Sequence, residues 1–281
     1  MVNRTGAKFA MNAGYFDMST YAPNSTMIDK SKLITIDLKY NPQKPSFVID
    51  HSGKPSIQHF KANHKLTLVK TNGRQESVAS VVVNKQPANA YDATRIVFTR
   101  AWGTNVNLYA SDYVIVDGNG RITKHGRFTS NIPIPENGYV IYQRSRREKE
   151  GNFFNACAVG DKINPSIVYE GSSVQNIKTS VSSGPRIVKD GKSYKNYSAE
   201  GFSAGDIAYA SRKRVAIGIK SDGKIVMITS YCTMDQLSKI MIGLGCKDAM
   251  NFDGGASSGL YCDGQWLSVP GRKLNNMIYF R

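Results

Sequence analysis

The chain has no CxxC pair, no low-complexity tract and no apolar run long enough to span a bilayer. Its four cysteines, Cys157, Cys232, Cys246 and Cys262, are widely spaced. That spacing removes the usual zinc patterns and any dense disulfide framework, and buried free thiols are the simplest reading. The four histidines, His51, His59, His64 and His125, lack metalloprotease spacing and read as packing or surface residues. Residues 1–11 carry no apolar core of a signal peptide. A soluble chain is therefore expected, with its compartment open between extracellular and a piece of a larger surface-acting protein. Acidic residues are scarce: 21 Asp and Glu stand against 37 Lys and Arg, a formal net charge of +16. The excess predicts attraction to polyanions, whether nucleic acid, an anionic membrane or a phosphate-rich polymer. Two local concentrations are Arg144-Ser145-Arg146-Arg147, read as solvated surface, and Arg212-Lys213-Arg214.

What is present describes a folded globule. The 281 residues are 41% apolar and 10% aromatic, enough for a substantial core. The first half reads as short strands at 33–38, 65–69, 78–83, 95–102, 113–116 and 139–142, with Asp117-Gly118-Asn119-Gly120 as a turn. The basic, polar stretch 143–152 reads as a loop. In the second half, Ser183-Gly184-Pro185 leads into Arg186-Ile187-Val188, and Lys189-Asp190-Gly191 marks the next turn. Residues 215–219 and 225–228 flank Ser221-Asp222-Gly223 as a hairpin. Thr233 and Gln236 form a capping box, Leu237, Ile240, Met241 and Leu244 make one core-facing helical stripe, and Gly245 is the C-cap. The expected fold is α+β in a single domain over 1–281: mixed, largely antiparallel sheets with a few helices.

Asn251-Phe252-Asp253-Gly254-Gly255-Ala256-Ser257-Ser258 is the most informative segment. It places a carboxylate at the end of a strand, then two glycines and two hydroxyls. Glycines allow close backbone approach to a ligand, and free N–H groups in such a turn form an anion-binding concavity. A tight hairpin with polar caps is the alternative for this composition.

Met11-Asn12-Ala13-Gly14-Tyr15-Phe16, residues 183–191, Arg214-Val215-Ala216-Ile217-Gly218, residues 251–258, and Arg272 with Asn275 resemble, in order, the motifs of the phosphodiester glycosidase family. Val215 and Ala256 depart from it, where threonine and glycine are usual. Strands that usually precede the Asn12 motif are missing, so an excised domain or a compact variant is expected. No motif is matched between Asp17 and Arg95.

The resemblance implies hydrolysis of a sugar-1-phosphodiester, with water replacing phosphate at the anomeric carbon. A phosphate monoester is a weak base and leaves readily, so the paired carboxylates of common glycosidases are less needed. The reaction needs a cationic clamp and an anion beside an oxocarbenium-like carbon. The expected catalytic residues are Asp253 at the anomeric centre, Arg214 as phosphate clamp and Asn12 orienting a sugar hydroxyl or the phosphate. Gly14, Ser183, Gly184, Gly254, Gly255, Ser257 and Arg272 are expected to bind substrate. Glu200, Asp206 and Asp17 stay open as a second carboxylate. No metal ligand set is predicted, and a divalent cation stays open. The charge favours a phosphorylated glycan or a teichoic-acid-like polymer over a small neutral glycan, and nucleic acid is not favoured because no recognised nucleic-acid motif is present. A non-catalytic phosphoglycan-binding module and a phosphodiesterase attacking phosphorus are the alternatives. Oligomeric state is not specified by the sequence.

Overall fold

The computed structural model describes residues 2–19, 21–36, 44–87, 89–145, 153–171, 176–202 and 205–281. Three sequence expectations fall partly outside these residues: the end of the 33–38 strand, the Arg146-Arg147 part of the first basic cluster, and residues 146–152 of the expected loop. The side chain of Asp206 is likewise not described. No helix of the described residues is long and apolar enough to cross a membrane.

The chain divides into two compact units rather than one. The first comprises residues 1–32, 37–61 and 171–281, and the second comprises residues 33–36 and 62–170. The boundary near residue 61 falls inside the strand Lys61–Val69, and the boundary near residue 171 abuts the strand Lys162–Glu170. No Pro- or Gly-rich linker marks either crossing, which is why composition shows a single domain.

The second unit is β-rich. A five-stranded sheet runs in the order Ile122–Thr129, Ala110–Val116, Tyr139–Gln143, Ile96–Thr99 and Val82–Val83. Its pairs are antiparallel except the last, which is parallel. The expected turn at 117–120 joins its first two strands. A three-stranded sheet orders Lys162–Glu170, Lys61–Val69 and Gln75–Ser80.

The first unit carries every expected site residue. Its five-stranded sheet runs Lys192–Ser193, Arg186–Lys189, Cys246–Phe252, Arg212–Lys220 and Ile225–Cys232. The predicted hairpin is present, with Val215 opposite Thr229 and Ile219 opposite Ile225. Period-two alternation divides the central strands between two cores. Val215, Ile217, Met250 and Phe252 share one cluster with Met11, Phe47 and Ile278. Ala216 and Ala249 share the other with Met234, Leu237 and Met241 of the helix Met234–Gly243.

That helix begins as its sequence dictates. Thr233 accepts from the Gln236 N–H, and Gln236 returns a bond from the Thr233 N–H. Gly245, at φ +82°, follows its C-terminus. The buried stripe differs from the expected one: Met234, Leu237, Ser238 and Met241 are buried, while Ile240 and Leu244 are 37% and 41% exposed. Ser238 can occupy the core face because its hydroxyl donates to Ile187 O at 2.7 Å. A small residue there also lets the helix approach the sheet. The same close approach fixes Gly218, whose added Cβ would lie 2.5 Å from Met241 Cε.

A four-stranded antiparallel sheet completes what holds the site, in the order Gln265–Ser268, Leu260–Cys262, Phe9–Asn12 and Met277–Phe280. Met11 pairs with Leu260 and Ile278 in the core. Ala10, one residue earlier and on the opposite face, pairs with Tyr261 and Tyr279.

Candidate active site

Asp253 follows directly on the strand Cys246–Phe252, in the middle of the five-stranded sheet. Its N–H donates to Ala13 O at 2.9 Å, tying this loop to the segment after Asn12. Asn12 itself is 3% exposed, and its amide is spent on the same loop. Asn12 Nδ2 donates to the Asp253 carbonyl at 2.5 Å, and Asn12 Oδ1 accepts from the Gly259 N–H at 2.9 Å. One side chain thus spans the two ends of the glycine-serine loop. Asn12 therefore holds the loop that carries Asp253 through both of its amide atoms.

The glycines of this loop do different things. A Cβ on Gly254 would lie 2.5 Å from the Lys213 carbonyl, so this position must be bare for the loop to pass the Arg212–Lys220 strand. Gly255 sits at φ +59° and opens the short 3-10 turn Gly255–Ser257, with open space where its Cβ would be. Ser257 and Ser258 are fully buried, and neither hydroxyl has a hydrogen-bond partner among the described residues; Asn251 Oδ1 is also buried and unpartnered. Unpaired buried polar atoms cost about 1–3 kcal/mol each, so such a cluster marks a place where water or ligand completes the bonding.

The electrostatics centre on Asp253. Burial raises its pKa above the ordinary carboxylate value, opposed by the Ser257 hydroxyl, the Arg272 charge and the Gly254 N–H, in that order. The Ser257 hydroxyl influences the Asp253 carboxylate without meeting ordinary hydrogen-bond geometry. Arg272 is half-buried, and its one hydrogen-bond partner among the described residues is the weak acceptor Met18 Sδ, at 2.9 Å from Nη1. Asn275, expected beside it, donates to Tyr21 O at 2.6 Å.

Arg214 lies one residue beyond the Val215–Phe252 pair and so is level with Asp253 in the register. It is 5% exposed, and its guanidinium donates to Ala210 O at 2.6 Å and Cys232 O at 3.3 Å. Backbone anchoring therefore occupies part of the fork expected to clamp phosphate. Gly14 exchanges two hydrogen bonds with the Asn276 side chain, and its added Cβ would meet Ser25 Oγ at 2.1 Å. Ser183 is fully buried and makes a long bond to Ala13 O, 3.5 Å. Gly184 precedes a cis proline at φ +135°; its carbonyl accepts from Tyr15 Oη at 2.9 Å and Asn251 Nδ2 at 3.0 Å. Ser183 Oγ and the Asp253 N–H thus share Ala13 O as acceptor, and Gly184 bonds Asn251 of the same segment.

Two of the open carboxylates are engaged elsewhere. Glu200 is 2% exposed, accepting the Arg186 N–H at 2.7 Å and contacting His59 Nε2 at 2.8 Å. Asp17 caps its own turn through the Ser19 N–H and hydroxyl. Among the described residues no three His, Cys, Asp or Glu side chains come together. The sequence reading missed Asn276 and Tyr15. Tyr15 lay inside the Met11–Phe16 motif, whereas nothing local distinguishes Asn276 from its neighbour Asn275.

A mostly antiparallel fold with an Asp-Gly-Gly loop on a central strand, clamped by an Asn from the N-terminal strand, defines the class. The sequence profile described as phosphodiester glycosidase matches residues 112–281, and the chain belongs to that family. No curated protein matches the chain. Among solved structures, a hypothetical protein from Synechocystis is similar at TM-score 0.74 and 20% identity, covering 96% of this chain and 50% of that one. A Burkholderia pseudomallei K96243 protein, inferred to be exported, is similar at TM-score 0.70 and 16% identity, covering 96% and 64%. The zebrafish N-acetylglucosamine-1-phosphodiester alpha-N-acetylglucosaminidase catalytic domain, auto-inhibited by its pro-peptide, aligns at TM-score 0.44 and 14% identity, covering 94% and 56%. The chain thus spans half to two thirds of the length of these structures.

Proposed function

We propose that this protein hydrolyses a sugar-1-phosphodiester at the bond between the anomeric carbon and the phosphate oxygen. The observation that carries the reading is Asp253, desolvated at the end of a central strand and acted on by a half-buried arginine, Arg272. In the proposed step, water adds its oxygen to C1, and the C1–O bond breaks with its electron pair leaving on phosphate. One water proton passes to the Asp253 carboxylate and then to solvent.

The raised pKa suits a base, since a carboxylate with a higher pKa takes a proton more readily. Arg272, rather than Arg214, is assigned the phosphate, because a guanidinium whose one hydrogen-bond partner among the described residues is a thioether has donors to offer an anion. Phosphate bound there also offsets the Arg272 charge, which otherwise holds the Asp253 pKa down. Substrate thereby makes its own base stronger. Arg214 is assigned to fixing the 205–211 turn and the strand beside the loop. Ser257 and the loop N–H groups complete the polar wall.

The net charge of +16 supports an anionic polymer as natural substrate, such as a phosphorylated glycan or teichoic acid. The test is turnover of a panel of sugar-1-phosphodiesters and teichoic acid fragments by the chain and by Asp253→Asn. Loss of turnover with binding retained is the expected result. Equal rates in the two proteins would refute the assignment.

A further inference from the structure

A cleft of ≈ 350 Å³ opens beside the candidate site, lined in part by the four-stranded sheet through Ala10, Trp266 and Met277. It shares four residues with that site: Asn12, Gly259, Arg272 and Asn276. Its volume falls within the roughly 300–1,000 Å³ of ordinary small-ligand sites. The wall is of two kinds. Ala10, Leu274 and Met277 give an apolar floor, with Trp266, 45% exposed, at its edge. Arg4, Arg272 and Lys273 give three cations and no carboxylate balances them in the lining.

We infer that this cleft holds the alcohol on the far side of the phosphate, and that it selects an alcohol with an apolar body. The inference rests on the hydrolase reading for the direction of approach: the sugar lies at Asp253 and the phosphate at Arg272. From Arg272 the remaining substituent has this cleft as its continuation. Lys273, the next residue, adds a second charge where the departing phosphate gains its own. The apolar floor would be poorly used by water or a small polyol, and Trp266 offers a ring face to an alkyl or aryl group. The cleft is thus a leaving-group site, and it retains an alkyl or aryl phosphate after the sugar has gone.

The chain contains two tryptophans, so Trp102→Phe leaves Trp266 as the sole indole reporter. Titrating that protein with hexyl phosphate, phenyl phosphate and inorganic phosphate reads the cleft without turnover. Hexyl and phenyl phosphate should bind about tenfold more tightly than inorganic phosphate, and Lys273→Met should weaken them about tenfold, as loss of one charge-assisted contact does. Lys273→Arg should restore binding. Binding that ignores the alkyl group, or that Lys273→Met leaves unchanged, would overturn the inference. The second arm compares kcat/KM for methyl and hexyl esters of one sugar-1-phosphate. Equal values with clear turnover sink the leaving-group site and leave the hydrolase standing. No turnover of either ester, with Lys273-dependent hexyl phosphate binding intact, sinks the hydrolase and leaves an alkyl-phosphate site.

Discussion

Replacing Asn12 by alanine would remove two hydrogen bonds at once, to the Asp253 carbonyl and from the Gly259 N–H. Both ends are main-chain groups of the loop that carries the carboxylate, and Gly259 is buried. A buried polar group left without a partner costs about 1–3 kcal/mol, so Asn12→Ala should lose roughly 2–6 kcal/mol of stability. That is a large share of a total of about 5–15 kcal/mol. Because the loop would relax, Asp253 would also leave its working position, and a misplacement near 1 Å costs on the order of 100-fold in rate. Urea unfolding read at Trp266 in the Trp102→Phe chain gives the first number, and kcat of the folded variant gives the second. A stability loss under about 0.5 kcal/mol would place Asn12 among ordinary surface substitutions and refute the clamp.

Activity should fall as pH drops through the Asp253 pKa, since the base must be ionised, and this limb should lie above that of an exposed aspartate. Arg272→Met removes a charge that lowers this pKa, so a pH–rate profile should show the acid limb moving to higher pH. Gly254→Ala should cost about 1–3 kcal/mol through collision with the Lys213 carbonyl. Gly255→Asn, with open space and a φ that asparagine tolerates, should be close to neutral in the same urea-unfolding and turnover assays. His64, buried in the second unit, has its pKa pushed by burial from 6.5 to about 4. The unfolded chain therefore takes up the proton first, and stability present above pH 6.5 is lost as pH falls toward 4. The loss should reach roughly 3 kcal/mol, readable as acid-dependent urea midpoints that His64→Phe flattens.

Local signals in the sequence carried far. The capping box at Thr233, the hairpin around Asp222-Gly223 and the glycine after the helix are specified by residues within a few positions of each other, and all are present. The motifs also point to the family whose profile matches residues 112–281. What the sequence hid is long-range. Asn12 and Asp253 are 241 positions apart, so the direction of the Asn12 amide follows only from the pairing of strands. Arg214 is the arginine the sequence points to as phosphate clamp, and the burial and carbonyl partners that favour Arg272 for that role in the proposed reaction are not legible in it. Ile240 and Leu244 fit the helical period as well as Leu237 and Met241 do. Their exposure, 37% and 41%, is set by tertiary packing that the period does not carry.

The most direct test of the account is hydrolysis of a sugar-1-phosphodiester in oxygen-18 water, with mass analysis of both products. The account predicts label at C1 of the sugar and none in the phosphate, with Asp253→Asn losing the labelled product. Label in the phosphate ester would mean attack at phosphorus and would contradict it.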